Sequence, residues 1–442
     1  MKNVLPIKST YVPRWGLWES LRELIQNSKD EEQENAHKMS VHYHKGWLHI
    51  ENEGADLRVN ALLIGHSTKA GKRELRGEHG EGLDLAFLAG IRAGHRIEVT
   101  TKTEKWIPAL EQREEYGWER CLVINVRKLV KERSGVCVSV CMDEKEWEAI
   151  KPKFLFLAPS SASIETESGD LLLDESRCGE IFVKDIYVMN AHKTFGYGFN
   201  LKNVRLDRDR QMIGGFDLQW EMSRVIMLAL DRDPKHFAGQ VMDLFDKESE
   251  EVEYIGSQIT PGSEAGRALA AEFRTRHGDN AVPVRSMAES QILESFGARG
   301  VLVSNAAAKA LEYEMGDFHK AKLRLRVQPI ARYGWHDLTA KEQANLERAQ
   351  AAIRSITEGK MDTLAALQVV DFHETSGVLG SCNLITGEMQ VARKRCGNFF
   401  DLLEDLVHEL AHALSQAGDL TVSHTVTLEK LWRSLYEKAV QP

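Results

Sequence analysis

The stretch NFFDLLEDLVHELAHALSQAG, residues 398–418, sets apolar Leu402, Leu403, Leu406, Leu410 and Leu414 at helical spacing. That pattern fills one face of a 3.6-residue helix, so the segment must lie as an amphipathic helix against a core. His408 and His412 stand one turn apart on that helix with Glu409 beside the first, giving H-E-x-x-H, and Gly418 bounds the run. Two imidazoles at i and i+4 can share one Zn²⁺ at about 2.0–2.1 Å, and the glutamate between them can take a proton from the water the metal activates. In a chain with 16 histidines the plain alternative is a chance match.

The rest of the 442-residue chain is ordinary globular material, 43% hydrophobic and 28% charged. At about 150 residues per domain, its length predicts about three domains. The 66 acidic and 57 basic side chains leave a formal charge of −9. That balance argues against a broad electrostatic grip on nucleic acid and leaves room only for a local basic patch. No apolar run approaches the roughly 20 residues needed to span a bilayer, and MKNVLPIKSTYVPRW lacks a secretory apolar core, so a soluble, cytoplasmic protein is expected. Six scattered cysteines (121, 137, 141, 178, 382, 396) are too few for a disulfide scaffold and read as buried thiols.

Pattern changes mark the organisation, because ten prolines leave few linkers. Residues 17–36 read as an amphipathic helix and 47–54 as a strand ending in a loop. A Gly-rich stretch over 65–82 leads into the helix-like LDLAFLAGI, and the strands HRIEVTTKT, CLVINVRKL and VCVSVCMD carry this segment to about residue 157. DLLL and EIFVKDIYVMN read as strands and SRVIMLALDR as a helix in a smaller second unit. Residues 262–315 alternate helix and strand, which predicts a small layer with parallel strands. From Leu338 come a long Ala/Glu/Arg-rich helix, a hairpin GSCNLITGEMQVARK turning at Thr-Gly, and two final helices. The expected fold class is α+β multidomain, divided into 1–160, 161–235, 236–337 and 338–442.

On the first helix, Glu23, Asn27 and Asp30 are spaced i, i+4, i+7 and share a face opposite Leu17, Leu21, Leu24 and Ile25. A solvated polar face is the plain reading of such a stripe. Downstream, Gly77, Gly80 and Gly82 in RGEHGEGLDLAF precede an apolar helix, so backbone N–H groups there can approach phosphates without a Cβ in the way.

In this order, ELIQNSKDEE, IENEGADL and GHSTKAGKRELRGEHGEGLDLA resemble the three motifs of the GHKL ATPases, the Bergerat-fold group of DNA gyrase B, Hsp90, histidine kinases and MutL, over about residues 10–157. The resemblance implies a Bergerat α/β sandwich binding ATP with Mg²⁺. It implies Glu23 as the general base, Asn27 as the Mg²⁺ ligand, Asp30 one turn further on and Lys69 as positive charge near the phosphates. Gly54 holds the first glycine of the second motif. Asn52 stands where the family has its adenine-reading aspartate, and Asp56 replaces the second glycine. An Asn oxygen can accept from the adenine amino group, provided its NH₂ finds another partner. Thr100, with Thr101, sits where the family often places a hydroxyl near the base, the alternative being plain β-propensity. The segment 161–235 corresponds to a transducer-like second domain that in several families sends a lysine to the γ-phosphate. Lys184 and Lys202 are candidates, against the alternative of an edge charge. The cluster Arg205, Asp207, Arg208, Asp209 and Arg210 could sense nucleotide or form a salt-bridged turn.

The last segment, 338–442, resembles the zincin metallopeptidases: a helix, a strand hairpin, then the motif helix. The signature with a third histidine six residues after the second is broken by Gly418. Asp419 is the first choice for the third Zn²⁺ ligand, then His424, then Glu429 on the final helix, and one of the three is expected to ligate. Together the two resemblances imply an ATPase with a nucleotide-gated zinc peptidase acting on a protein or peptide, with nucleotide-dependent homodimerisation. The alternative is an Hsp90- or MutL-like ATP-driven switch or chaperone whose metal is structural or lost.

Overall fold

The computed structural model of the chain describes residues 2–58, 62, 82–191, 195–204, 206, 215–357 and 366–440. It has a mixed α+β architecture forming two compact units, Met1–Ala229 and Leu230–Pro442. Among the described residues no helix is long and apolar enough to cross a membrane.

The first unit opens with a seven-stranded antiparallel sheet of β1 (Lys2–Lys8), β2 (Met39–His44), β3 (Trp47–Asn52), β4 (Ile97–Thr100), β5 (Glu104–Arg113), β6 (Glu119–Lys128) and β7 (Val136–Cys141). Its order is β1-β6-β5-β4-β7-β3-β2. Alternation decides the faces: Leu48 and Ile50 of β3, Ile97 and Val99 of β4 and Val140 of β7 are buried, whereas His49, Glu51 and Ser139 lie on the other, half-buried face. The helices α1 (Leu17–Asn35) and α2 (Gly82–Arg92) join Leu21, Ile25, Phe87 and Leu88 to this core, and α3 (Glu144–Ile150) adds Trp147 and Ile150. At the end of α2 the Arg92 guanidinium donates to the carbonyls of Ser9, Tyr11, Val12 and Trp15 at 2.7–2.9 Å, pinning the segment that joins β1 to α1.

A second sheet holds β8 (Ser163–Glu165), β9 (Gly169–Leu172), β10 (Glu180–Val183), β11 (Ile186–Asn190) and β12 (Gly198–Leu201) in the order β11-β10-β12-β9-β8. The run EIFVKDIYVMN is a hairpin rather than one strand, because Lys184 and Asp185 both take positive φ, 51° and 69°, and so form a tight turn. The helix α4 (Gly215–Arg232) follows.

The second unit continues through α5 (Pro234–Asp246), α6 (Ile255–Gln258), α7 (Glu264–His277), β13 (Ala281–Val284), α8 (Met287–Glu294), β14 (Arg299–Leu302), α9 (Asn305–Met315) and α10 (Phe318–Arg326). β13 and β14 pair in parallel, as the helix–strand alternation predicts. Ser263, Ser286, Ser304 and Asp317 start α7, α8, α9 and α10, each accepting the N–H three residues on.

The remaining elements are β15 (Pro329–Tyr333), α11 (Ala340–Thr357), β16 (Gln368–Phe372), β17 (Gly380–Cys382), β18 (Met389–Ala392), α12 (Arg393–Cys396), α13 (Phe399–Ser415) and α14 (Val422–Val440). The sheet order β15-β16-β18-β17 leaves β17 at an edge, paired with β18 in the expected hairpin. Leu346 and Ile353 of α11, Leu402, Leu406 and Leu410 of α13, Val391 of β18 and Leu431 of α14 share one core.

Candidate functional site

The motif helix α13 starts at Asn398, whose side-chain oxygen accepts from the Phe400 N–H at 3.0 Å. Leu402, Leu406 and Leu410 are fully buried, while Leu414, one residue before the helix ends, is 43% exposed. Gln416 closes the helix in the left-handed region, its N–H bonded to the His412 carbonyl. The chain then turns through 417–421, and α14 packs back against α13.

This reversal gathers four side chains. His408 Nε2 and His412 Nε2 are 3.2 Å apart, and Asp419 Oδ1 stands 3.1 Å from the first and 3.2 Å from the second. Two donors about 2.0–2.1 Å from one Zn²⁺ at the tetrahedral angle are separated by about 3.3–3.4 Å, so these three atoms already outline one face of a tetrahedron of that size. His424 adds a fourth donor, and the ligand atoms of all four lie within 4.8 Å of one another. The group could hold a metal ion. Asp419 and His424, weighed from the sequence as alternatives, are both present, whereas Glu429 is exposed on α14 and outside the group.

The outer partners set the ring orientations. His412 Nδ1 lies 2.8 Å from the Ala417 carbonyl, so it carries the hydrogen and Nε2 presents its lone pair to the cluster. His424 is bonded to the His408 backbone, and its buried Nε2 has no protein partner. Burial, reinforced by His412, holds the His424 pKa below its ordinary value and favours the neutral ring that ligates metals. A metal ion would satisfy a nitrogen that the protein leaves orphaned.

Glu409 sits beside this group but outside it. It is buried against β17 at Gly380, where a Cβ would stand 2.8 Å from Oε1. Burial pushes its carboxyl up to about 8, with the charges of Asp419 and Asp405 adding to the shift. A divalent cation at the imidazoles opposes that shift. On the same strand, burial raises the Cys382 thiol to about 11, again with Glu409 adding.

The polar stripe of α1 is not a solvated face. Glu23 is 8% exposed, Asp30 is fully buried and Asn27 is half-buried. Glu23 Oε1 accepts from Arg22 Nε at 3.1 Å in a buried ion pair. Gly82, the first residue of α2, meets the stripe: a Cβ there would stand 2.7 Å from Glu23 Oε2 and 3.7 Å from Asn27 Nδ2. Glu23, Asn27 and the amino end of α2 therefore form one polar corner.

Asn52 is buried at the end of β3. Its Oδ1 accepts from the Ser28 hydroxyl at 2.7 Å, and its NH₂ donates to the carbonyls of Ser28 and His37, each at 2.9 Å. The NH₂ is thus spent, and Oδ1 retains a second lone pair. Gly54 follows with φ of +80°, a conformation suited to glycine. Thr100 registers with Cys137, which registers with Glu51, so it lies on the sheet face opposite Asn52, while buried Thr101 follows on the Asn52 face. Lys184 lies in the β10–β11 turn, and Lys202 Nζ is held by the Thr166 carbonyl and Asp170. Lys69, Gly77, Gly80, Arg205 and the cluster 207–210 lie outside the described residues.

Residue spacing gave no sign of two partners that the fold supplies, Ser28 for Asn52 and Gly380 for Glu409. No known protein-family model matches the chain, and no curated protein is significantly similar to it.

Proposed function

We propose that this protein is a nucleotide-regulated, zinc-dependent peptidase: a GHKL-type ATP-binding domain over about residues 1–160 governs hydrolysis at a centre built by His408, His412, Asp419 and His424. The observation that carries the peptidase half is the donor cluster with buried Glu409 beside it, next to β17, the edge strand of its sheet among the described residues. A Zn²⁺ held there would supply Lewis-acid polarisation and would lower the pKa of a water toward neutrality. Glu409 takes the proton at its carboxylate. The β17 edge offers backbone N–H and C=O groups with which an extended peptide can pair. Proteins and peptides are therefore the substrate class.

The ATPase half is supported by the polar corner of Glu23, Asn27 and Gly82, of which Glu23 is buried. Glu23 is the base toward the attacking water, and the Asn27 amide oxygen is a hard ligand for Mg²⁺ that adds no charge beside a triphosphate. ATP governs the second centre only to the extent that it binds one conformation more tightly than another, and a nucleotide-dependent homodimer is the proposed closed state.

A second reading, an ATP-driven conformational switch with a structural metal, is favoured by one observation: four protein donors can fill a tetrahedral shell completely. Metal content by mass spectrometry on the purified protein, paired with ATP turnover and peptide cleavage with and without added Zn²⁺, separates the two. Stoichiometric zinc with ATP-dependent cleavage supports the peptidase. Zinc and ATP turnover without cleavage supports the switch. Neither metal uptake nor ATP binding would overturn both.

A further inference from the structure

The four-donor centre conflicts with catalysis unless one donor can leave, since a hydrolytic metal needs an open position. We infer that Asp419 is that donor: three imidazoles hold the metal, and the Asp419 carboxylate plugs the position through which water and substrate must enter, so that the centre is closed at rest. This inference rests on the metal-binding reading above and specifies how that site is regulated.

The donors differ in how firmly the fold holds them. His408 and His412 are fixed on α13, whose apolar face is buried. His424 is 4% exposed, in the first turn of the 19-residue α14, its ring stacked on His412 with centroids 4.0 Å apart and planes at 20°. Its ring is bonded to the His408 backbone, and its backbone N–H donates to the Thr421 hydroxyl at 3.2 Å. His412 is anchored through Nδ1 to the Ala417 carbonyl and His424 is buried, while the His408 ring, 38% exposed, is carried by α13 rather than by a connecting loop.

Asp419 is held otherwise. Its side chain is 66% exposed, and the partners the structure gives it are the two imidazole nitrogens of His408 and His412. It belongs to the connection 416–421 between the two helices, where the next residue, Leu420, is almost wholly exposed with a φ of 64°. Rotating the carboxylate outward breaks contacts with the metal centre and opens no buried surface. Departure of Asp419 therefore frees one coordination position beside His408 and His412.

The test uses the full chain loaded with Zn²⁺ or Co²⁺, comparing wild type with Asp419→Ala, Asp419→Asn and His424→Ala, with folding of each checked by circular dichroism. Metal content after dialysis is the first readout, and azide binding to the Co²⁺ form, followed by its visible spectrum, is the second. The expected result is one metal per chain in both Asp419 variants, a loss of stoichiometric metal in His424→Ala, and azide affinity at least about tenfold higher in Asp419→Ala than in wild type, as follows if the plug occupies the position at least about nine-tenths of the time. Metal lost from Asp419→Ala but kept by His424→Ala makes Asp419 a fixed ligand and overturns the inference while leaving the metal centre standing. Equal azide affinity in wild type and Asp419→Ala also overturns it. A wild-type chain that takes up no metal overturns the underlying reading instead.

Discussion

Gly380 presses directly on Glu409: a Cβ at position 380 would stand 2.8 Å from Oε1, 2.9 Å from Cγ and 3.1 Å from Cδ of the glutamate. The side chain is met along its length rather than at its tip, so it cannot evade the added methyl by a small terminal rotation. Gly380→Ala should push Glu409 out of register with the donor cluster while leaving all four donors in place. The expected outcome is unchanged zinc content and a peptidase rate lower by about 10²-fold, the scale of a misplacement near 1 Å. Overpacking should also lower stability by about 1–3 kcal/mol, measured by urea denaturation. An Ala variant as fast as wild type would show that Glu409 does not act from this position.

The metal ligands and the base should separate cleanly. His408→Ala or His412→Ala removes a donor from the compact triangle and should abolish stoichiometric Zn²⁺. Glu409→Gln keeps the shape and all four donors, so it should retain metal and lose about 10²–10⁴-fold in hydrolysis. Mass-spectrometric metal content set beside peptide turnover reads both. Chelation with a strong zinc ligand should reproduce the histidine variants, and metal loss from Glu409→Gln would make the glutamate a ligand rather than a base.

What the sequence could and could not announce follows from the range of each determinant. The H-E-x-x-H helix was legible because its signal is local: Leu402, Leu406 and Leu410 repeat within three turns, and all three are buried. The joint presence of Asp419 and His424 was not, because it depends on α14 folding back over α13, a tertiary event without a local pattern. β5 was hidden for another reason: Pro108 argues against a central strand, yet it pairs with Ile124 between β4 and β6. The α1 stripe of Glu23, Asn27 and Asp30 was legible in spacing and ambiguous in meaning, since periodicity cannot distinguish a solvated face from the polar corner that Gly82 completes.

For that corner, Glu23→Ala should leave Mg²⁺–ATP binding intact and abolish turnover, whereas Asn27→Ala should weaken binding only when Mg²⁺ is present. Gly82→Ala supplies a control drawn from geometry, because its Cβ would meet Glu23 Oε2 at 2.7 Å. It should lower turnover by displacing the carboxylate without removing it. Calorimetry and phosphate release measure these quantities, and a wild-type chain showing no heat of ATP binding would remove the ATPase proposal.

Arg92 should matter for folding of the amino-terminal segment. Four of its N–H contacts reach the carbonyls of Ser9, Tyr11, Val12 and Trp15, a fork that a lysine ammonium cannot span. Arg92→Lys keeps the charge and should still cost about 2–4 kcal/mol, given about 1.5–3 kcal/mol for a hydrogen bond to a charged group and strong non-additivity within the set. Limited proteolysis should then cut within residues 9–15 before the sheet unfolds. Equal protease resistance in the two proteins would count against the pinning role.

Asn52 carries two roles that one variant series can pull apart. Its amide closes a buried loop with Ser28 and His37, so Asn52→Ala should destabilise the first unit by about 1–3 kcal/mol through the carbonyls and hydroxyl it leaves unsatisfied. Asn52→Asp is the sharper probe. A carboxylate still accepts from the Ser28 hydroxyl but cannot donate to the two carbonyls, so it should cost at least as much stability while preserving an acceptor toward an adenine amino group. If Asn52 reads the base through the remaining lone pair on Oδ1, Asn52→Asp should keep the preference for ATP over GTP and Asn52→Ala should erode it, with phosphate affinity changing less than the preference. If both variants lose stability and neither alters the ATP-to-GTP ratio, the residue is a structural clasp between α1 and β3, and the base is read elsewhere.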